Sequence, residues 1–187
     1  MQIPILTVQQ AADRLKEGEI IAYPTEAVYG LGCDPANEHA VRKILSLKSR
    51  REEAGLILIA DTFERFQSYV QPVGAEQLAV AMASWPGPVT WLFPRALGVP
   101  DFLAGTHATI ALRVTAHPIC RSLCAAFGGA IVSTSGNPSG APPATSPEEV
   151  ANYFAGNLAG IVEGSLGDSI RPSEIRELAT GKIIRAC

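Results

Sequence analysis

Apolar positions change their spacing repeatedly along this chain, and each change marks an element. Between Thr7 and Gly18, the residues Ala11, Ala12 and Leu15 share one helical face. Thr7 and Gln10 have capping-box spacing and Gly18 is a stop signal, so a first helix is expected there. Residues 19–23 follow with Ile20, Ile21 and Ala22 continuously apolar, the pattern of a strand buried on both faces, and Pro24 ends it. A loop is expected over 25–35, then a helix from Asn37 to Leu47 with Val41, Ile44, Leu45 and Leu47 inward. Residues 56–60 read as a second buried strand. Asp61 and Thr62 look like the cap of another helix, with Phe63, Phe66 and Val70 inward, and 74–84 predicts one more.

Trp85-Pro86-Gly87-Pro88 cannot continue a helix. Beyond it, 89–93 and 109–114 are strand candidates, and Pro118 opens a helix at its first position. Residues 130–133 form a strand that enters a Gly/Pro/Ser-rich loop. Ser146-Pro147-Glu148-Glu149 combines a cap, a first-turn proline and a capping-box glutamate. Two short strands around Thr180-Gly181 close the pattern over 173–185. Alternating helices and strands without repeat or linker predict one α/β domain with a mixed sheet over residues 1–187.

Composition sharpens this picture in three ways. Of 187 residues, 47% are hydrophobic and 18% charged, a globular balance, and the formal net charge of −3 speaks against a protein whose main task is holding nucleic acid. No apolar run reaches eighteen residues, so no membrane span is expected, and Met1-Gln2-Ile3-Pro4 has no leader-like pattern. The four cysteines (33, 120, 124 and 187) include no C-x-x-C pair. Cys120 and Cys124 fit one buried helical stripe in a reduced, cytoplasmic protein.

Four places concentrate groups able to do chemistry. In Tyr23-Pro24-Thr25-Glu26-Ala27-Val28-Tyr29-Gly30-Leu31-Gly32, the chain leaves a strand and ends in two conformationally permissive glycines. There Thr25 offers a hydroxyl to a polar ligand and Glu26 a carboxylate to an amine, or both serve only to close a turn. Lys48 and Arg50 follow a helix end. An extended backbone would point both at one polyphosphate, whereas a helix C-terminus would simply favour their charge. Ser133-Thr134-Ser135-Gly136-Asn137-Pro138-Ser139-Gly140 supplies hydroxyls, an amide and glycines directly after a strand, without the frame of a Walker A loop or nucleophile elbow. Arg113 sits in an apolar strand with Thr109 on the same side, and requires a carboxylate partner, a ligand or exposure. His39, His107 and His117 lack metal-like spacing and read as surface or capping residues, and no carboxylate cage is evident.

Taken together, these segments resemble the YrdC/TsaC family of threonylcarbamoyl-AMP synthases. The resemblance runs through Tyr23–Gly32, Lys48-Ser49-Arg50, Trp85-Pro86-Gly87-Pro88-Val89-Thr90, Leu112-Arg113-Val114 and 133–140. The family's K-x-R and S-x-N tetrad is met by Lys48, Arg50, Ser135 and Asn137. The resemblance implies a twisted mixed sheet with flanking helices and a deep, positively charged cavity. It also implies a nucleotidyltransferase reaction in which threonine, bicarbonate or CO2, and ATP give threonylcarbamoyl-AMP and pyrophosphate.

Carried over by position, Thr25, Arg113, Ser133 and Ser173 correspond to threonine contacts. Lys48, Arg50, Thr109, Ser135, Asn137 and Arg185 correspond to ATP contacts, with Mg2+ carried on ATP. The implied partners are the threonylcarbamoyl-transferase proteins that use the product on the adenosine beside the tRNA anticodon, and tRNA itself. Two departures from the family pattern stand out: Gly136 replaces a common Ala and is expected to loosen its loop, and Arg51 replaces a frequent Pro. The chain resembles the short, single-domain members. The contrasting reading is a noncatalytic RNA-binding module of the same fold, which the acidic net charge disfavours.

Overall fold

In the computed structural model, residues 3–169 and 173–186 are described. They form a mixed sheet whose ten strands run in the order β1-β8-β2-β3-β7-β4-β6-β5-β9-β10. The strands are β1 (Ile5–Leu6), β2 (Ile21–Pro24), β3 (Tyr29–Gly32), β4 (Ile57–Ala60), β5 (Val89–Pro94), β6 (Thr109–Val114), β7 (Ile131–Ser135), β8 (Gly160–Val162), β9 (Glu174–Glu177) and β10 (Ile183–Arg185). Interspersed helices are α1 (Val8–Lys16), α2 (Glu38–Leu47), α3 (Ala75–Ala83), α4 (Asp101–Ala104), α5 (Pro118–Phe127) and α6 (Pro147–Phe154).

The continuous apolar runs have the cause their pattern implies: alternate residues feed two different cores. Ile21 and Tyr23 of β2, Ile59 of β4 and Ile131 of β7 face a smaller core beneath α1 and α5. Ile20, Ala22, Leu58 and Val132 face a larger one that includes α2 and α6. Cys120 and Cys124 are fully buried in the smaller core, which is the stripe their spacing predicts. The α1 cap is a complete capping box, with the Thr7 hydroxyl accepting from the Gln10 N–H and the Gln10 side chain accepting from the Thr7 N–H.

Local structure departs from expectation in several places. The loop expected over 25–35 contains β3, paired antiparallel with β2 from Ile21↔Gly32 to Pro24↔Tyr29. Its glycines conceal it, yet neither Gly30 nor Gly32 has a positive φ. They provide space instead. A Cβ on Gly32 would stand 2.7 Å from the Tyr23 ring and 2.9 Å from the Val132 carbonyl oxygen, and one on Gly30 would also meet that ring.

Over 61–70 the expected helix is a single 3-10 turn at Phe63–Phe66. Residues three apart eclipse in that geometry, which carries Phe63 and Phe66 together onto Trp85. Val70 then bridges to Arg95. The short β1 and β8 and the single-turn α4 were not anticipated, because two to four residues cannot display a period. Pro172 and Cys187 lie outside the described residues. Among those described, no helix is long and apolar enough to cross a membrane.

Candidate active site

On the face that α1 and α5 cover elsewhere, the sheet is left open beyond the helix ends. Ile59, Arg113 and Ile131 lie side by side across β4, β6 and β7, and Ile57 is paired with both Ala111 and Ser133. Ser133 and Ser135 therefore project from the same face as the buried Ile131, two and four residues further along. They line a cavity of about 510 Å3. The 25–28 turn forms one wall, Arg50 another, and Ser173 with Arg185 from the C-terminal hairpin a third. Three arginines, at 50, 113 and 185, thus meet a single carboxylate, Glu26, among the described lining residues.

The Thr25 turn is closed from within: its N–H and its hydroxyl both donate to the Val28 carbonyl, at 3.1 and 2.6 Å. The hydroxyl oxygen keeps its accepting capacity toward the cavity. Glu26 does not wait for an amine. Its Oε2 pairs with Arg113 Nη1 at 2.9 Å, and its Oε1 accepts from the Thr115 hydroxyl at 2.7 Å. Burial alone would raise the Glu26 carboxyl, but the Arg113 guanidinium and the Thr115 hydroxyl outweigh it and hold it below its ordinary value. Arg113 gains the partner that a buried guanidinium requires, yet its Nε remains without an acceptor among the described residues.

Lys48 and Arg50 reach the site by a different route from the extended one considered from sequence. Lys48 caps α2 in helical geometry and Ser49 has φ of 50°, a left-handed conformation uncommon outside glycine. The two flanking side chains diverge from that hinge. Arg50 lines the cavity, donating from Nη2 to the Gly55 carbonyl at 2.9 Å, while its Nε is buried without an acceptor. Lys48 is 3% exposed and lies beneath the loop after β7. Its ammonium donates to the carbonyls of Ser135 and, at 2.6 Å, Asn137, and its own carbonyl accepts from the Ser139 N–H at 2.8 Å. Burial, and secondly Arg50, push its pKa down to about 8.

Asn137 contributes to the same tie: its Oδ1 lies 3.5 Å from Lys48 Nζ, and its amide donates to the Ala141 carbonyl at 2.6 Å. Gly136 does not loosen this loop. Its N–H donates to the Tyr29 carbonyl at 2.7 Å, and a Cβ there would stand 2.9 Å from that oxygen, so it is the closeness to β3 that the small residue serves.

The structure accordingly brings Thr25, Arg50, Arg113, Ser133, Ser135, Ser173 and Arg185 to one cavity. Lys48 and Asn137 organise the loop beneath it, and Thr109, at the start of β6, is outside the lining. Ser173 accepts from Arg185 Nη2 through its carbonyl at 2.7 Å, and its hydroxyl lies 3.0 Å from that of Thr90. Sequence reasoning passed over Thr145 and Ser169, which also line the cavity. Nothing in their residue type sets them apart.

His117, expected at the surface or in a cap, is the N-cap residue of α5; it is buried and makes no side-chain cap hydrogen bond, its Nε2 lying 3.2 Å from the Ser165 carbonyl instead. Burial lowers its pKa. Among the described residues no group of three His, Cys, Asp or Glu side chains is placed to hold a metal ion.

A mixed sheet with helices on both faces, opening into a hollow lined by three arginines, defines the class as an α/β domain with one principal cavity among the described residues. The chain belongs to the Sua5/YciO/YrdC family, whose model, described as "Telomere recombination", matches residues 13–187. It is 51% identical over 179 residues to the threonylcarbamoyl-AMP synthase of Methylococcus capsulatus, covering 94% of each chain. It is 48% identical to the one of Halorhodospira halophila, covering 95% of this chain and 93% of that one. Among solved structures, P. abyssi Sua5 complexed with L-threonine superposes with a TM-score of 0.90 at 30% identity, over 99% of this chain. That alignment spans 57% of the Sua5 chain, so the present chain corresponds to a little over half of it.

Proposed function

We propose that this chain is a threonylcarbamoyl-AMP synthase, a nucleotidyltransferase that converts L-threonine, bicarbonate or CO2, and ATP into threonylcarbamoyl-AMP and pyrophosphate. One observation carries the reading from geometry to chemistry. Arg50, Arg113 and Arg185 line one cavity in which Glu26 is the single carboxylate among the described lining residues. Guanidinium groups held in partial burial with one carboxylate between them favour a ligand that supplies anionic oxygens. Threonine carboxylate at Arg113 and ATP phosphates at Arg50 meet that demand. The near-complete coverage of relatives bearing this name at 48% and 51% identity supports it.

In this reading a carbamate oxygen attacks the α-phosphorus of ATP as the bond to the bridging oxygen breaks and pyrophosphate departs. The protein contributes position and charge, with no covalent intermediate. Thr25, Ser133 and Ser173 surround the amino acid. Ser135, held by Lys48 and Asn137, presents its hydroxyl to the nucleotide with Arg50 and Arg185; Thr109, assigned to the nucleotide by resemblance alone, lies outside the lining. Mg2+ enters as part of the MgATP substrate. Glu26, the cavity carboxylate, is engaged by Arg113 and Thr115 and offers no resident metal cage.

The mixed anhydride then passes to threonylcarbamoyl-transferase proteins that modify tRNA, in the cytoplasm. The decisive test is pyrophosphate release with each of threonine, bicarbonate and ATP omitted in turn. Release that requires all three is expected, and release independent of threonine overturns the reading.

A further inference from the structure

Glu26 lies at the ligand-facing end of a hydrogen-bonded chain that no cavity role assigned above explains. The His117 backbone N–H donates to the Thr115 hydroxyl oxygen at 3.1 Å, and that hydroxyl donates to Glu26 Oε1 at 2.7 Å. Glu26 Oε2 then receives Arg113 Nη1 at 2.9 Å. Thr115 is fully buried, and the Arg113 and Glu26 side chains are 9% and 17% exposed. The backbone of Glu26 is fixed as well. Its carbonyl accepts from the Ser169 N–H at 3.0 Å, and Gly167 lies so close that an added Cβ would be 3.0 Å from the Glu26 Cα. Both carboxylate oxygens are thus anchored, and the segment that carries them is clamped from the other side.

The geometry points to Glu26 as a positioning residue that sets the orientation of Arg113 rather than a contact for the substrate amine. A guanidinium presents its donors in one rigid plane, so pinning one terminal nitrogen limits where the others can point. With Nη1 occupied by Glu26 and Nε enclosed, the other terminal nitrogen is left for an incoming carboxylate. The fixed carboxylate also offsets part of the positive charge of Arg113. An amine approaching Glu26 would compete with two charge-assisted or buried hydrogen bonds already made. This inference rests on the proposed threonine site at Arg113.

A double-mutant cycle on threonine separates the two roles, using threonine binding by calorimetry and the KM for threonine and for ATP. Glu26→Gln, which keeps size and one carbonyl oxygen, is expected to raise the threonine KM about tenfold or more and the ATP KM less than twofold. That is the loss expected when a charged hydrogen bond is misaligned. Thr115→Val, which removes the second anchor, should move the same parameter in the same direction by less.

In an Arg113→Lys background the Glu26→Gln effect should largely vanish, because there is no guanidinium plane left to orient. An undiminished Glu26→Gln effect in that background identifies a direct amine contact and overturns the inference. So does an unchanged threonine KM in Glu26→Gln alone. Should Glu26→Gln fold poorly by thermal melt, Thr115→Val carries the test, and equal changes in both substrates' KM count against positioning. A wild-type chain that shows no threonine-dependent turnover instead refutes the proposed function, which the wild-type control reads separately.

Discussion

Lys48 shows how one side chain links charge to architecture. Its ammonium holds two loop carbonyls while burial and Arg50 lower its pKa to about 8. In the unfolded chain a lysine titrates near ~10.4. Below about 8 both states are protonated and the penalty for a buried ammonium is fully present. As pH rises from there toward ~10.4 the unfolded chain holds more protons, so this residue's contribution to stability improves. Urea melts of the wild type and Lys48→Met should therefore diverge with pH, the wild type gaining relative to the variant between the lower and the upper value. A difference independent of pH would mean that Lys48 keeps its ordinary pKa where it sits.

Arg51 permits a second test. Its φ of −69° and ψ of 141° suit proline, and its N–H donates no hydrogen bond among the described residues. Arg51→Pro should stabilise by about 0.4–1 kcal/mol through the unfolded chain, with turnover unchanged.

At the scale of elements, β2 and β3 form the part of the sheet that the sequence disguised. Gly32 lies under the Tyr23 ring, where a Cβ would meet it at 2.7 Å. Gly32→Ala should cost about 1–3 kcal/mol in chemical denaturation, as overpacking does. Gly30→Ala, with its nearest contact at 3.1 Å, should cost less. Equal costs would return the explanation to backbone freedom.

The same example shows where legibility ends. α1, α2, α5 and α6 were readable because caps and apolar stripes are local. β3 was not, because its glycines answer to a ring on the neighbouring strand. In the site, residues whose charge or hydroxyl must face an anion were readable. The pairing of Glu26 with Arg113 was not, since it joins a turn to a strand distant in the sequence and not adjacent in the sheet, nor was the hinge at Ser49, where no residue type announces a left-handed backbone.

For the whole molecule, the cavity draws on segments from Thr25 to Arg185, so filling it ties distant parts of the chain together. Ligands that bind only the native state stabilise it by mass action, about 2.7 kcal/mol at a hundredfold excess over Kd. For a domain of this size that corresponds to a rise of about 5–10 °C in Tm. Threonine with a nonhydrolysable ATP analogue should give this shift in the wild type and much less in Arg50→Ala. A comparable shift in both would remove Arg50 from the ligand.

The two cores separated by the sheet each contain buried thiols: Cys33 in the larger, Cys120 and Cys124 in the smaller. Burial raises all three pKa values, and for Cys124 to about 12, so alkylating reagents meet almost no thiolate while the fold is closed. Each sulfur is consequently a native clock for one side of the molecule. If mass spectrometry finds Cys33 and Cys124 labelled at one common rate, the layers come apart in a single event; two rates would reveal that one side breathes while the other stays shut.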